Sequence, residues 1–235
     1  MKYLLFAGSL LIAGCQPRGH QAAKKETIVL SGVIVSPALM KPISINADPY
    51  LALPDDSGAT KATTTAGIRS VITNTGLVND DLGDFYAYHF SLYNNNKQVF
   101  TKAAFYAAGL PETDLQHWYT IQLKTEIAEN NATGILYVID LPNATWIAAD
   151  TLNNGSNAPV IDNRVYYIND HEIREFNPES RQKRPIADIQ YKDINEEEVN
   201  VRGLRIKKAA GTLTGQLLFD YQDLHYAVPL KVSLR

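Results

Sequence analysis

From Leu224 to Leu234 the chain alternates strictly. Leu224, Tyr226, Val228, Leu230, Val232 and Leu234 fall on one side, and His225, Ala227, Pro229, Lys231 and Ser233 on the other. A period of two sends one face of an extended strand into a core and the other toward solvent, a pattern that no helix satisfies. Pro229 has no N–H to give to a ladder, so this strand is expected at a sheet edge or beside a bulge. The run before it, Leu213 to Phe219, alternates as well, and Asp220 to Asp223 would turn the chain between the two as a hairpin.

The same signal recurs upstream. Val199 and Val201 share one phase and Leu204 and Ile206 the other, which places a β-bulge at Arg202-Gly203. Ile121, Leu123 and Ile127 alternate with polar residues. A turn at Glu129-Asn130-Asn131 then leads into Gly134 to Ile139, a run apolar on both faces and therefore expected in the middle of a sheet. Asp84 to Tyr93 and Gln98 to Phe100 flank Asn94-Asn95-Asn96-Lys97, a second hairpin signal. Thr27 to Val35 is rich in β-branched residues. Helical signal is confined to Thr101 to Gly109, where Thr101 would cap a short helix and Gly109 would lie just past its end.

Many short strands separated by turns predict an all-β fold, an antiparallel β-sandwich with an immunoglobulin-like arrangement as one form of it. The Cys-Trp-Cys hallmark of true immunoglobulin domains is absent. Asp48 to Gly67 reads as a long loop, and Thr151 to Pro159 as a domain boundary. The organisation expected is a β-rich domain over 27–157, with 158–235 a second one or the continuation of the same sandwich. A chain of 235 residues has room for either.

The N-terminus carries a different kind of information. Lys2 precedes an apolar stretch, Leu4 to Ile12, much shorter than the roughly 20 residues that span a bilayer, so residues 1–14 read as a signal peptide. Cys15 is the sole cysteine, so neither an intramolecular disulfide nor a cysteine-based metal site can form. Ile12-Ala13-Gly14-Cys15 resembles the lipobox of bacterial lipoproteins. That resemblance covers the first fifteen residues and implies cleavage before Cys15. It further implies a diacylglycerol on the Cys15 thiol, and acyl chains such as palmitate that anchor the protein to a membrane. Gln16 follows, not the Asp that commonly retains lipoproteins in the inner membrane. The resemblance therefore implies the outer membrane in a diderm, or the outer face of the only membrane in a monoderm. Residues 15–26 are polar and aperiodic, a lipidated cysteine followed by a flexible tether.

Chemistry is harder to find. The chain shows no Gly-x-Ser-x-Gly elbow, His-Glu-x-x-His, phosphate loop or dinucleotide fingerprint, and no catalytic, metal or cofactor residues are assigned. Asn79 to Asp84 gathers hard oxygen ligands without the spacing of a calcium loop and reads first as a solvated turn. Asp170 to Glu175 puts His171 beside carboxylates on an expected strand. Arg181 to Arg184 and Glu196 to Glu198 read as charged loop tips. A formal net charge of −3 with scattered Lys and Arg argues against nucleic acid. Thirteen Tyr against seven Phe is an excess of aromatics with polar tips. Tyr86, Tyr88, Phe90 and Leu92 share one strand face and read as core. Trp118, Tyr119 and Trp146 fall near expected strand ends, where they would make ligand contacts.

The function expected is that of a membrane-anchored envelope lipoprotein with a non-catalytic binding or structural role toward another protein or surface component. A carbohydrate-binding module using the three rim aromatics is the alternative. An envelope hydrolase, which would need His and carboxylate side chains converging in a cleft, ranks behind both.

Overall fold

The computed structural model describes residues 31–44, 54, 56–80, 83–125, 134–152 and 156–234. Thr27 to Leu30, the turn at Glu129-Asn130-Asn131, the signal peptide, Cys15 and the tether lie outside them. Among the described residues the chain is all β, with one short 3-10 turn at Glu196–Glu198.

Two N-terminal strands, β1 (Ser31–Val35) and β2 (Lys41–Pro42), precede four successive sets of strands. The first sheet is β3 (Thr60–Thr65), β4 (Ile68–Asp80), β5 (Gly83–Asn94) and β6 (Lys97–Ala104). The second is β7 (Tyr106–Thr113), β8 (Trp118–Lys124), β9 (Gly134–Asp140) and β10 (Thr145–Leu152). The third is β11 (Val160–Ile161), β12 (Arg164–Asn169), β13 (Glu172–Asn177) and β14 (Gln182–Tyr191), with β1 added parallel to β14. The fourth is β15 (Val199–Ala209), β16 (Thr212–Tyr221) and β17 (Leu224–Ser233), with β2 on its edge. Within each set the strands follow chain order as antiparallel meanders. The likeness to immunoglobulin domains therefore stops at packed sheets and does not extend to Greek-key connections.

The sheets pack face to face in sandwich fashion. Phe90, Leu92 and Phe100 of the first sheet meet Ile121, Leu123 and Ile139 of the second. The other face of the second sheet puts Trp118, Leu136 and Val138 against Val165, Tyr167 and Phe176 of the third. The opposite face of the third sheet packs Tyr166, Ile168 and Ile173 on Leu213, Leu217, Phe219 and Val228 of the fourth. The second and third sheets are thus covered on both sides. For that reason Leu136 to Ile139 and Val165 to Ile168 are buried without alternation.

Local chemistry explains the hairpins. Ala66-Gly67, Asn95-Asn96, Asp162-Asn163, Ala210-Gly211 and Gln222-Asp223 each hold two successive residues at positive φ. That is the type I′ geometry matched to strand twist, to which Asn, Asp and Gly are best suited. The Gln222-Asp223 turn makes Tyr221 and Leu224 a bonded pair. Counting alternately along the ladder, the Pro229 nitrogen then points away from β16, beyond the two residues where β2 adds. The proline costs no ladder bond. The bulge falls between Val201 and Gly203, where the phase of apolar residues switches.

Three expectations from sequence are corrected. Thr101 to Gly109 is not a helix. Its first half completes β6, paired from Thr101 to Ala104 with β5, and the chain breaks only at Phe105 before entering β7. Burial of Phe100 and Ala104 at strand spacing outweighs the helical preference of the alanines. Asp48 to Gly67 is not one loop, because Thr60 to Thr65 forms edge strand β3. Tyr88, Phe90 and Leu92 are core, but Tyr86 is 48% exposed. It lies past the bulge between Asn74 and Gly76, where β4 and β5 continue without β3 or β6 beside them.

Candidate functional site

Register decides where the three aromatic candidates go. Trp118 on β8 pairs with Asp140 on β9, and Asp140 with Thr145 on β10. Cross-strand partners share a face, so these three side chains project together. Tyr119, Ile139 and Trp146 form the next row and project to the opposite face. Trp118 therefore enters the core shared with the third sheet, and Tyr119 the core shared with the first, each only 5% exposed. Burial pushes the pKa of the Tyr119 hydroxyl up, although a hydrogen bond with Ser70 works the other way.

Trp146 stays 43% exposed, its ring edge-on to Phe100 and Tyr137, with the Lys102 ammonium 4.4 Å from its centroid. The two tryptophan side chains thus project to opposite faces of one sheet, although Trp146 also borders the groove on the Trp118 side. Trp118 and Tyr119 do not form an exposed rim.

On the Trp118 side, the row Trp118–Asp140–Thr145 and the apolar pair Val138 and Ile147 meet the turn between β13 and β14. Pro178, Glu179 and Arg181 of that turn complete a groove of about 260 Å³. His117 lies flat on the Trp118 indole, ring centroids 4.4 Å apart and planes 7° apart, with its Nε2 3.6 Å from Asp140 Oδ2.

Two carboxylates hold this corner. Asp114 Oδ1 accepts from the backbone N–H of Gln116, His117 and Trp118 at 2.8–3.0 Å, which sets the approach to β8. Asp140 accepts from Asn143 N at 3.0 Å and from Asn143 Nδ2 at 2.8 Å, closing the turn into β10. Trp118 Nε1 is buried and has no hydrogen-bond partner. A buried donor left unsatisfied costs about 1–3 kcal/mol, which makes it an exception in need of a reason. The Asp140 carboxylate and the Thr145 hydroxyl share that row and line the groove, while the indole N–H is sealed from it.

A second polar cluster has its charges paired. Asp150 on β10 accepts from Lys183 Nζ at 2.7 Å and from the Tyr167 hydroxyl at 2.8 Å, and lies 3.5 Å from Arg174. Burial alone would raise its pKa, but these partners outweigh burial and leave it below the ordinary carboxylate value. Glu175 is shared by Arg164, Arg184 and the Tyr166 hydroxyl. These contacts join the second and third sheets and brace the surface of the third.

Of the histidines weighed from sequence, His89 contacts Thr101 Oγ1, and His171 sits in a turn, not on a strand, edge-on to Tyr191. His225 Nδ1 lies 2.7 Å from Asp220 Oδ1, and Arg202 also binds that carboxylate. Burial opposes ionisation of Asp220, but Arg202 and His225 prevail and lower its pKa. The side chains of Asn79 to Asp84 lie outside the described residues. Among the described residues no group of three or more His, Cys, Asp or Glu could hold a metal.

The groove gathers His117 and Asp140, which the sequence does not single out, and the 178–181 turn, of which only Arg181 stands out, as part of a charged loop tip. The available signals were Trp118 and the Asp140–Asn143 spacing of a capped turn, and neither reveals the partner rows across the sheet. No family model and no curated protein matches the chain.

Proposed function

We propose that the chain is a membrane-anchored envelope lipoprotein whose folded body has a binding role and is not a catalyst. One observation carries this reading: the sole cysteine closes Ile12-Ala13-Gly14-Cys15 behind a charged residue and a short apolar stretch. Two or three acyl chains on Cys15, each buried methylene contributing about 0.8 kcal/mol, make attachment nearly permanent, whereas one chain alone is reversible. Gln16 directs the anchored protein to the outer membrane where two membranes exist. The tether of residues 16–26 then lets the β body work close to that surface, and the groove beside Trp118 is one surface feature of the described residues with room for a partner group.

Mass spectrometry of the mature N-terminus tests the anchor. The expected product begins at Cys15 and carries a diacylglycerol, and Cys15→Ser leaves an unprocessed precursor without lipid. A Cys15→Ser chain that is processed normally and stays with the membrane fraction in the same yield would refute the proposal.

A further inference from the structure

The fourth sheet closes one end of the stack, and its outer face gathers charge of one sign. Its inner face packs on the third sheet through Leu213, Leu217, Phe219 and Val228. Cross-strand partners share a face and alternate rows return to it, so register fixes what the outer face presents. Arg205 lies in a row with Gln216 and Pro229, and Lys207 in a row with Thr214 and Lys231. Lys41 enters from edge strand β2, in a row with Ala227 and Leu218.

All four cations are exposed, and none of their side chains has a hydrogen-bond or ion-pair partner among the described residues. The three rows contain no acidic residue. The carboxylate next along this face, Asp220, is bound by Arg202 and His225. Lys208, on the inner side of the same strand, behaves differently and meets Asp162. The whole chain is net negative, at −3, so four cations on one face leave the remainder more acidic still.

Strand geometry spaces these charges about 7 Å apart along a strand and about 10 Å apart across two, too far to converge on one small anion. The neutral side chains between them are short, so the charges stand out from a sheet face with nothing bulky among them. Such a face suits an extended anionic surface. The anchor brings one within reach. Residues 16–30 separate Cys15 from Ser31, at most about 50 Å of chain. Strand β1, which begins there, sends Val33 and Val35 into the core between the third and fourth sheets, and the outer face is one sheet further on, about 10 Å.

We infer that the outer face of the fourth sheet docks on an anionic phospholipid bilayer, with Lys41, Arg205, Lys207 and Lys231 against its headgroup phosphates. This inference rests on reading the chain as a lipoprotein anchored through Cys15. Each cation close to such a surface raises the ratio of docked to undocked body about fivefold.

The lipidated full-length protein, reconstituted on vesicles, gives the test. Its Cys15 thiol is blocked by lipid, so Ser233→Cys accepts a single fluorescent donor on the docking face. Ala62→Cys, exposed on β3 in the first sheet, labels the other end of the stack. Energy transfer to a headgroup-labelled lipid reports how closely each end approaches the bilayer. With about 30% phosphatidylglycerol in phosphatidylcholine, transfer from Ser233→Cys should rise above its value on phosphatidylcholine alone, while transfer from Ala62→Cys does not. About 0.5 M NaCl, which shortens the screening length to about 4 Å, should reverse the rise. Adding Lys207→Gln and Lys231→Gln should lower the docked-to-undocked ratio about 25-fold, with an unchanged thermal melt confirming the fold.

No rise on anionic vesicles, an equal rise at Ala62→Cys, or a rise indifferent to salt and to the two glutamines overturns the inference. Displacement from the vesicles by soluble polygalacturonate at matched charge would replace the bilayer with an acidic glycan. The acyl chains hold the protein on neutral vesicles regardless, so a body that fails to dock leaves the anchor standing. A free Cys15 thiol, seen as a second label, would instead refute the anchor.

Discussion

Gly203→Ala should be among the most damaging single-methyl additions in the chain, through one side chain that it would displace. Gly203 sits in the β15 bulge at φ +150°, and a Cβ there would overlap Asn157 Oδ1. Asn157 is a clasp. Its Oδ1 accepts from Leu204 N at 2.8 Å, and its Nδ2 donates to Leu204 O at 3.0 Å and to Glu112 Oε1 at 2.6 Å. Displacing it forfeits two neutral hydrogen bonds of about 1 kcal/mol each and leaves the half-buried Glu112 carboxylate short of a donor, for a total near 3 kcal/mol. Backbone strain for a side chain at that φ adds about 1 kcal/mol. Asn157→Ala should therefore cost about 3 kcal/mol and Gly203→Ala about 4. The double variant should also cost about 4, because the clasp can be lost only once. Urea unfolding of the four proteins measures this as a coupling energy near 3 kcal/mol, with unchanged m-values. Additive costs, or a Gly203→Ala protein within 1 kcal/mol of wild type, would show that Asn157 is not what glycine makes room for.

Two further outcomes concern pH. Burial raises the pKa of Glu112, with Asn157 pulling weakly the other way, so the folded protein holds this proton more tightly than the unfolded chain does. Stability is therefore lost as pH rises from the unfolded value near 4.3 through the folded one. Glu112→Gln should be more stable than wild type at pH 7, with the advantage vanishing near pH 4 in parallel thermal melts. Asp150 has the opposite sign: its lowered pKa contributes stability that is present at neutral pH and lost as pH falls through the folded value, below about 4. Asp150→Asn should cost about 1–2 kcal/mol at pH 7, discounted because Lys183 is half exposed, and the gap should close in acid.

What the sequence reveals about this protein follows the range of the interactions involved. Strands such as Leu224 to Ser233 and Gly134 to Asp140 are legible because alternation and two-sided burial are written in neighbouring residues. The Arg202-Gly203 bulge is legible from a phase switch within a few positions. Where the answer depends on a partner far along the chain, local signals fail. The alanines around Phe105 favour a helix until β5 and β8 claim the flanking segments as strands. Thr60 to Thr65 looks like a loop because its only strand partner among the described residues is β4. Tyr86 shares a face with Tyr88 yet misses the core, since the strands that would flank it stop short.

The groove belongs to the same class. Trp118 and Trp146 are both near strand ends in sequence, but the odd spacing between their cross-strand rows sends them to opposite faces. Only the register distinguishes the buried indole beside Asp140 from the exposed one beneath Lys102. A site made of one cross-strand row plus a turn from the next sheet has no sequence motif, because its spacing is set by the separation of strands and not by positions along the chain. The anchor is the reverse case. A signal peptidase reads its substrate as a linear segment, so the proposed anchor rests on neighbouring residues alone, Ile12 to Cys15. The two halves of the functional proposal therefore stand on different physics. Moving Cys15 by one position should abolish lipidation without touching the β body. Disturbing the Asp140–Thr145 pair that lines the groove should alter binding of a partner group there and leave the anchor intact.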